Sequence, residues 1–340
     1  MMLRYLKSIG LNSNQPRGRG FNHPYDIAIS SDERIYVLNR MYPNSALGIR
    51  VQICDMEEEW YGEFGEGPGD GANQFLVPVA MDFDKNDRLY VTDESHHQVK
   101  IFDKHGSFIE AWGRGNTKAS NLSGPSGICV DNQGEIIVVE QYPGRISKIS
   151  SDGDIKFSFG ENGTDNGQFD LPWGVTVDRE DNIYVADWRN DRVQKFTTNG
   201  EFIMSVGVSG DGPGELKRPS GVAVDRQGVI YVADWGNERV QIFDAEGKFM
   251  RELQGEADLS KWSVEWLESN QDQYRARKGS ALMIDELPEH LRTPYHIASQ
   301  TEPIFWGPVS VVIDSNDRLL VTEHSRHRIQ IFESEKSGVA

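Results

Sequence analysis

Five of the eight histidines in the chain are grouped in a way that favours metal or acid–base chemistry. Two lie in Asp93-Glu-Ser-His-His-Gln, two lie in Glu323-His-Ser-Arg-His-Arg, and one directly precedes a proline. Neutral imidazole is a common ligand of Zn²⁺, and a catalytic zinc site needs about three protein ligands with one open position. The sequence therefore predicts a divalent metal ion, Zn²⁺ before others, held by residues from the set His23, His96, His97, His324 and His327.

Other side chains are suited to move protons or to hold a substrate. Tyr25 and Asp26 follow a proline, and His296 lies in a later irregular segment, so we expect these three residues to act in catalysis. We expect the substrate to contact one arginine and five aromatic residues, which are Arg40, Tyr142, Trp173, Trp188, Trp235 and Trp306. No glycine-rich phosphate loop, serine nucleophile motif or thiolate cluster is present.

These residues belong to an internal repeat. Leu171-Pro-Trp-Gly-Val-Thr-Val-Asp matches Arg218-Pro-Ser-Gly-Val-Ala-Val-Asp, and Ile-Tyr-Val-Ala-Asp follows in both segments. The repeated proline marks six units, with spacings of 54, 47, 47, 47 and 89 residues, at Pro24, Pro78, Pro125, Pro172, Pro219 and Pro308. The last spacing contains an insertion, which we place at residues 255–305.

Each unit contains four short runs of β-branched and aromatic residues separated by Asp, Asn and Gly turns. Four-stranded antiparallel units repeated around an axis form a propeller. The sixth unit ends after its third strand, and residues 3–10 resemble a fourth strand. The sequence therefore predicts an all-β, single-domain, six-bladed propeller over residues 1–340, closed by its N-terminal strand, with a partly helical insertion between blades 5 and 6.

The units Pro-x-Gly-Val-Ala-Val-Asp, Ile-Tyr-Val-Ala-Asp and Asn-x-Arg-Val-Gln resemble NHL repeats. The resemblance covers nearly the whole chain outside the insertion and implies the six-bladed fold. Propellers of this kind include RNA-binding and protein-binding proteins, and also an amidating lyase that holds zinc with histidines in its central cavity. The resemblance therefore implies the fold and leaves the function open.

Positions where one blade departs from the others are the informative ones. The loop after each second strand begins with Asn, Asp or Glu, which predicts either a cation-binding ring or pairing with the arginine that closes the loop. In blade 2, Gln98 replaces that arginine, so we expect Asp93 to be freer than its counterparts. Asp26 stands where three other blades have glycine, so we expect its carboxylate to project into open space or to cap a loop.

Alternatives exist for the metal and substrate residues as well. His97 and His327 occupy loop positions that Asp191 and Glu238 fill in other blades, which is also typical of solvated surface residues. The tryptophan after the loop aspartate recurs in two blades, which is also typical of a structural residue of the repeat without a role in binding.

Residues 255–305 break the β pattern. Trp262 and Trp266 share one face of a predicted helix, and an irregular segment follows it. Long insertions in compact domains are commonly functional, so we expect this one to act as a lid over the channel mouth. The alternatives are packing on the outer rim and contacts between copies of the chain.

The formal net charge of −18 disfavours nucleic acid as a partner, and no apolar run approaches the length of a membrane span. Cys54 and Cys129 lie in apolar strands, and the N-terminal residues lack a secretory pattern, so we expect a cytoplasmic location. The resulting hypothesis is a small-molecule enzyme, a metal-dependent lyase or hydrolase working in a lidded funnel on a small organic or peptide-like ligand. The alternative is a non-catalytic scaffold that binds a peptide or partner domain on the same face.

Overall fold

The computed structural model of the protein describes residues 3–13, 15, 17–40, 48–279 and 288–334. They form six four-stranded antiparallel blades around a central channel, which confirms the predicted propeller. From the channel outward, blade 1 contains Pro24–Ile29, Ile35–Asn39, Arg50–Cys54 and Trp60–Phe64. Blade 2 contains Pro78–Phe83, Leu89–Asp93, Gln98–Phe102 and Phe108–Gly113. Blade 3 contains Pro125–Val130, Ile136–Glu140, Arg145–Ile149 and Ile155–Phe159.

The second half of the ring repeats this pattern. Blade 4 contains Pro172–Val177, Ile183–Asp187, Arg192–Phe196 and Phe202–Val206. Blade 5 contains Pro219–Val224, Ile230–Asp234, Arg239–Phe243 and Phe249–Leu253. Blade 6 contains Pro308–Ile313, Leu319–Glu323, Arg328–Ser334 and Leu3–Ile9. Two parallel strand pairs cross the loops that precede blades 4 and 5, at Glu161–Asn162 with Gln168–Phe169 and at Val208–Ser209 with Glu215–Leu216.

The hydrophobic core lies between adjacent blades. Because side chains alternate along a strand, each blade presents apolar residues on both faces, and each face packs against a neighbouring blade. Tyr36 and Leu38 of blade 1, for example, pack with Met81 and Leu89 of blade 2. The second strand of every blade is fully buried for this reason.

The N-terminal strand Leu3–Ile9, which we call the closure strand, completes blade 6. It pairs antiparallel with Arg328–Ser334, from Leu3 opposite Ser334 to Ile9 opposite Ile329. Both Leu3 and Ile9 are buried in the core. The pairing confirms the predicted closure and covers a strand edge that would otherwise be free.

A buried carboxylate at the end of the second strand holds the following loop together. In blade 5, Asp234 accepts hydrogen bonds from the backbone N–H of Lys217, from the Asn237 amide and from Arg239, whose Nε lies 2.8 Å from Asp234 Oδ2. Glu140, Asp187 and Glu323 pair in the same way with Arg145, Arg192 and Arg328. The geometry supports arginine pairing over a cation-binding ring.

In blade 2 the expectation that Asp93 is freer was wrong. Asp93 accepts hydrogen bonds from the backbone N–H groups of Leu76 and Val77 and from His96, whose Nδ1 lies 2.8 Å from Asp93 Oδ2. His96 Nε2 lies 3.0 Å from Asp70 Oδ1. The hydrogen bond to Asp93 raises the pKa of His96 and so favours its protonated form, and the His96 side chain takes the place of the missing arginine.

The insertion begins on the rim of the propeller and ends on the loop face. Its helices are α1 (Lys261–Ser269), α2 (Gln271–Gly279) and α3 (Pro294–Gln300), with a 3₁₀ turn at Glu289–Leu291. In α1, Trp262 is buried against Phe21 and donates its indole N–H to the carbonyl of Glu58, with 2.6 Å between the heavy atoms. The short helix α3 instead packs against the 3₁₀ turn Trp235–Asn237 of blade 5. A lid role therefore stays a prediction that concerns α3 more than α1.

No helix among the described residues is long and apolar enough to cross a membrane.

Deleting residues 1–10 should lower the melting temperature by roughly 10 °C or more, because the closure strand buries Leu3 and Ile9 and pairs along its whole length. Thermal unfolding followed by circular dichroism measures this change. The control is Leu6→Ser on the exposed side of the same strand, which should shift the melting temperature by less than about 2 °C. An unchanged melt of the deletion variant would contradict the closure.

Replacing His96 by Gln should destabilise the protein more at pH 5.5 than at pH 8.5. The folded-state pKa of His96 is raised, so its contribution is complete below the unfolded value near 6.5 and is lost as the pH rises through the folded-state pKa. The extra loss at low pH should be about 1–2 °C in melting temperature. The control variant is His105→Gln at an exposed turn, and an equal pH-dependent loss in that variant would contradict the role of His96.

Candidate functional site

One repeat position lines the mouth of the central channel. It is the residue directly after the buried polar side chain that starts the loop, which is Asn39 in blade 1 and a carboxylate in the other five blades. At this position blades 1 to 6 carry Arg40, Glu94, Gln141, Trp188, Trp235 and His324. In every blade a backbone N–H of the loop donates to a carbonyl one or two residues before the proline, as in Arg40 N–H to His23 O. The loop geometry is therefore shared, while the side chain at this position differs between blades.

A cavity of about 290 Å³, which we call the funnel, lies inside this ring. Four of the ring residues contribute to it, together with residues that directly follow or precede the repeated prolines. Its wall consists of Tyr25, Arg40, Leu76, Val77, Trp173, Trp188, Ser220, Trp235, Val309 and His324.

Aromatic side chains form a continuous arc along the funnel. The ring centroids of Trp173 and Trp188 lie 6.5 Å apart, those of Trp188 and Trp235 6.3 Å, and those of Tyr25 and Trp173 6.4 Å. Tyr25 also meets the His324 ring edge to face at 5.1 Å. The funnel thus offers flat apolar surfaces with a polar group at one end of the arc.

Arg40 supplies the positive charge of the funnel. Its guanidinium lies 4.5 Å from the centroid of the Tyr25 ring, and its Nη2 lies 3.8 Å from the Glu94 carboxylate. Its Nη1 is buried and has no hydrogen-bond partner within the described residues. A buried donor without a partner costs about 1–3 kcal/mol, and a bound anion would remove that cost.

Three of the five predicted metal ligands come together beside the funnel. The His23 ring centroid lies 4.7 Å from that of His324 and 4.6 Å from that of His327. Burial lowers the pKa of His324 to about 3 and the pKa of His327 to about 4, with a smaller contribution from neighbouring histidines. Burial also lowers the pKa of His23. All three imidazoles are therefore neutral at physiological pH.

His97 and His327 have the same structural role. The sequence showed only that they occupy equivalent positions in their loops. His97 Nδ1 accepts the backbone N–H of Gly124, and His327 Nδ1 accepts that of His23, each over 2.9 Å. Asp191 and Glu238 accept the N–H groups of Arg218 and Gly307 in the same way. These four side chains connect blades 2, 4, 5 and 6 to the blade that follows each of them. His97 lies beside Tyr142 rather than near His23.

The donor set does not form a metal centre. Throughout residues 3–13, 15, 17–40, 48–279 and 288–334, no three His, Cys, Asp or Glu side chains are arranged to hold a metal ion. In the histidine cluster, the Nδ1 atoms of His23 and His327 are already within 2.9 Å of Asn22 Oδ1 and the His23 backbone nitrogen. His96 is held by two carboxylates in blade 2. We therefore derive no chemical step through a metal.

Asp26 lies below the funnel, in the channel. Its carboxylate accepts hydrogen bonds from Met81 N–H of blade 2 over 2.8 Å and from Ser310 Oγ–H of blade 6 over 2.6 Å. Burial raises its pKa to about 6, and burial raises that of Asp82, which similarly accepts Val130 N–H, to about 7. Both face a cavity of about 580 Å³ lined by the inner strands. Asp26 thus ties three blades together, and its catalytic role stays a prediction.

The glycines that match Asp26 do not leave open space, contrary to our expectation. A Cβ atom on Gly127 would lie 2.3 Å from the carbonyl oxygen of Trp173, and one on Gly174 would lie 2.6 Å from that of Ser220. In those blades the inner strands approach each other closely, which requires glycine. In blade 1 the carboxylate spans the corresponding gap instead.

The remaining predicted residues lie outside the funnel. The half-exposed Tyr142 donates its hydroxyl to Glu94 over 2.9 Å. His296 lies on α3, where its Nδ1 is 2.8 Å from the Thr293 hydroxyl at the start of the helix. Trp306 lines a separate cavity of about 650 Å³ beneath the insertion, which we call the insertion cavity. His324 belongs to the walls of both the funnel and this cavity.

Sequence reasoning missed Leu76, Val77, Ser220 and Val309 in the funnel wall. A signal for two of them was available, because Ser220 and Val309 directly follow their prolines, as Tyr25 and Trp173 do. Only the aromatic members of that position drew notice. Arg326 was missed as well, although it stands where blades 4 and 5 carry Asn190 and Asn237.

Replacing His97 by Asp should leave the melting temperature within about 1 °C of the wild type, because Asp191 does the same work in blade 4. Replacing it by Ala should lower the melting temperature by about 1–2 °C, since the Gly124 N–H loses its acceptor. Differential scanning calorimetry measures both changes. Equal losses in the two variants would contradict this role of His97.

Comparison with known proteins agrees with this architecture. A family model described as a 6-bladed beta-propeller matches residues 175–275, and an NHL repeat model matches residues 305–332. Protein brain tumor of Drosophila melanogaster is 32% identical over 122 residues, which cover 35% of this chain and 11% of that protein. Human NHL repeat-containing protein 3 is 32% identical over 127 residues, covering 36% of this chain and 33% of that protein. The matched parts thus span about a tenth and a third of these relatives.

Solved structures with the same architecture include a streptogramin B lyase, with a TM-score of 0.59 and 12% identity over 98% of this chain and 97% of that one. A catalytically inactive virginiamycin B lyase from Staphylococcus aureus with quinupristin gives a TM-score of 0.56 and 15% identity over 98% of this chain and 86% of that one. At these identities the likeness concerns the fold alone. Together with the six blades, these findings show that the chain is a six-bladed β-propeller that contains an NHL repeat at residues 305–332.

Proposed function

We propose that this propeller binds, in the funnel, a small organic anion with a flat apolar body. The observation that carries the proposal is the buried Arg40 Nη1, which has no partner in the described part of the chain and lies beside an arc of aromatic rings. Rings provide stacking surface for a flat ligand, and an arginine N–H suits a carboxylate or phosphate oxygen. The funnel volume of about 290 Å³ is near the lower end of small-molecule pockets.

The charge distribution supports an anion in spite of the net charge of −18. Among the described residues of the funnel wall, Arg40 is the one arginine or lysine, and none of them carries a carboxylate. Glu94 approaches the guanidinium only through Nη2, at 3.8 Å. A ligand anion would meet a cation that is partly shielded from water, where charge-assisted hydrogen bonds are strong.

Chemistry on the ligand, of the lyase or hydrolase class, is the second part of the proposal. It rests on His324, which lies in the funnel wall next to Tyr25 and contacts His23. A group with a pKa of about 3 is a weak base, so His324 suits a neutral hydrogen-bonding role better than proton removal. His23, half-buried and with a lowered pKa, is the stronger candidate for accepting a proton. The two lyases with this fold do not bear on the assignment, since their likeness is limited to architecture.

The metal that the histidines suggested is not needed for this proposal. A divalent ion would act as a Lewis acid on a bound oxygen, but the described donor atoms do not converge to hold one. Docking of a peptide or partner domain on the same face is a second candidate function. The half-exposed rings of Tyr142 and Tyr295, on the loops and insertion around the funnel, favour it.

Phenylacetate should quench the intrinsic fluorescence saturably, because Trp173, Trp188 and Trp235 line the funnel. Arg40→Met keeps an unbranched apolar side chain but removes the charge, so it should weaken binding at least about tenfold, which corresponds to the loss of one charge-assisted hydrogen bond. The neutral analogue phenylacetamide should bind the wild type as weakly as phenylacetate binds the variant.

Arg189→Met is the matched control, since Arg189 lies in the equivalent loop of blade 4 but outside the funnel wall. It should bind phenylacetate like the wild type. Equal affinities of the wild type and Arg40→Met for phenylacetate, or quenching by both probes alike, would contradict the proposed anion site.

A further inference from the structure

The insertion cavity contains a second arginine with an unused hydrogen-bond donor. This cavity lies between the loop of blade 6, the end of the closure strand and the described parts of the insertion. Arg326 and Trp306 are in its wall, with the guanidinium carbon 5.2 Å from the centroid of the Trp306 ring. Tyr295 of α3 meets the same ring edge to face at 5.6 Å.

Arg326 is held by α3 but is not neutralised by it. Its Nη2 donates to the carbonyls of Ala298, over 2.7 Å, and Ser299, over 3.3 Å. Its Nε is buried with no hydrogen-bond partner among the described residues, and the same is true of the indole Nε1 of Trp306. Carbonyl dipoles orient a guanidinium without cancelling its charge, so an anion is the natural partner for the unused N–H.

The other two arginines in the described wall of this cavity form ion pairs, whereas Arg326 does not. Arg328 is paired with Glu323, and Arg277 is paired with Glu302. The wall contains two acidic residues among those described, Glu302 and Asp258. Arg326 forms no ion pair with either of them or with any other described residue. Burial, followed by the charge of Arg328, lowers the pKa of Arg326, while the carboxylates of Glu323 and Glu302 act in the opposite direction.

His324 lies between the insertion cavity and the funnel, because it belongs to the walls of both. One cavity holds Arg40 with a free Nη1, and the other holds Arg326 with a free Nε. We infer that the ligand of this propeller is an elongated dianion. One anionic group meets Arg40 in the funnel, and the second meets Arg326 and Trp306 beneath the insertion, with the body of the ligand beside His324 between them. This inference rests on the proposed function and specifies its ligand class.

The test compares phenylacetate with a series of aromatic dicarboxylates, beginning with 1,4-phenylenediacetate and lengthened one methylene group at a time. Isothermal titration calorimetry measures the dissociation constant of each. We expect at least one dicarboxylate to bind the full chain about tenfold or more tightly than phenylacetate. Arg326→Met should abolish that gain while leaving the affinity for phenylacetate unchanged.

Trp306→Phe provides a second variant, because it removes an N–H that has no described partner, retains an aromatic ring and leaves the Arg326 contacts to α3 in place. It should also reduce the dicarboxylate gain, and the smaller ring should lower the melting temperature by no more than a few degrees. If the loss of the Arg326 contacts to α3 unfolds the Arg326→Met variant, the result for Trp306→Phe tests the dianion inference on its own.

The outcomes separate the two proposals. If every dicarboxylate binds no more tightly than phenylacetate, or if the gain survives in both variants, the dianion inference is overturned while an Arg40-dependent phenylacetate site still stands. If neither class of anion binds the wild type, the proposed funnel site fails and the dianion inference fails with it.

Discussion

The site depends on a buried polar side chain that ends the second strand of each blade, which is Asn39 in blade 1 and a carboxylate in the other five. In blade 5, Asp234 binds an arginine, an asparagine and a backbone N–H at once, and these hydrogen bonds partly offset the burial that raises its pKa. This side chain fixes the start of the loop, and in four blades the next residue lines the funnel. The propeller thereby presents one variable side chain per blade on a constant frame. Blade 2 shows that the constraint is chemical, since a histidine substitutes for the absent arginine.

The histidines show how local surroundings give one residue type three different tasks. Next to two carboxylates, His96 gains charge, and its pKa is raised. At the loop corner, His97 and His327 use one ring nitrogen to hold the next blade. In the funnel wall, His324 is neutral because burial and its neighbours disfavour the charged form. A shared location on one face of the propeller therefore does not amount to a shared metal ion.

The sequence was informative wherever the repeat imposes a constraint. The six blades, the closing role of Leu3–Ile9 and the carboxylate–arginine pairs all follow from positions that recur every 47 residues or so. Within the candidate site, comparison of the repeats also identified five residues of the funnel wall, which are Arg40, Trp173, Trp188, Trp235 and His324. It failed for Asp26, because the distance between inner strands is a tertiary property, and a glycine does not reveal whether it leaves space or permits contact. It failed for Arg326, which takes the loop position of Asn190 and Asn237, because the cavity around it is completed by the insertion, and the insertion has no counterpart in other blades.

The central claim, an anion site in the funnel, can be tested by indole ¹H–¹⁵N spectra recorded during a phenylacetate titration. The chain has eight tryptophans, of which three line the funnel. The account predicts saturable shifts of the Trp173, Trp188 and Trp235 signals that disappear in Arg40→Met, while the signals of the exposed Trp60 and the core residue Trp112 stay in place. Shifts of Trp60 without the three funnel signals, or identical titrations of the wild type and Arg40→Met, would contradict it.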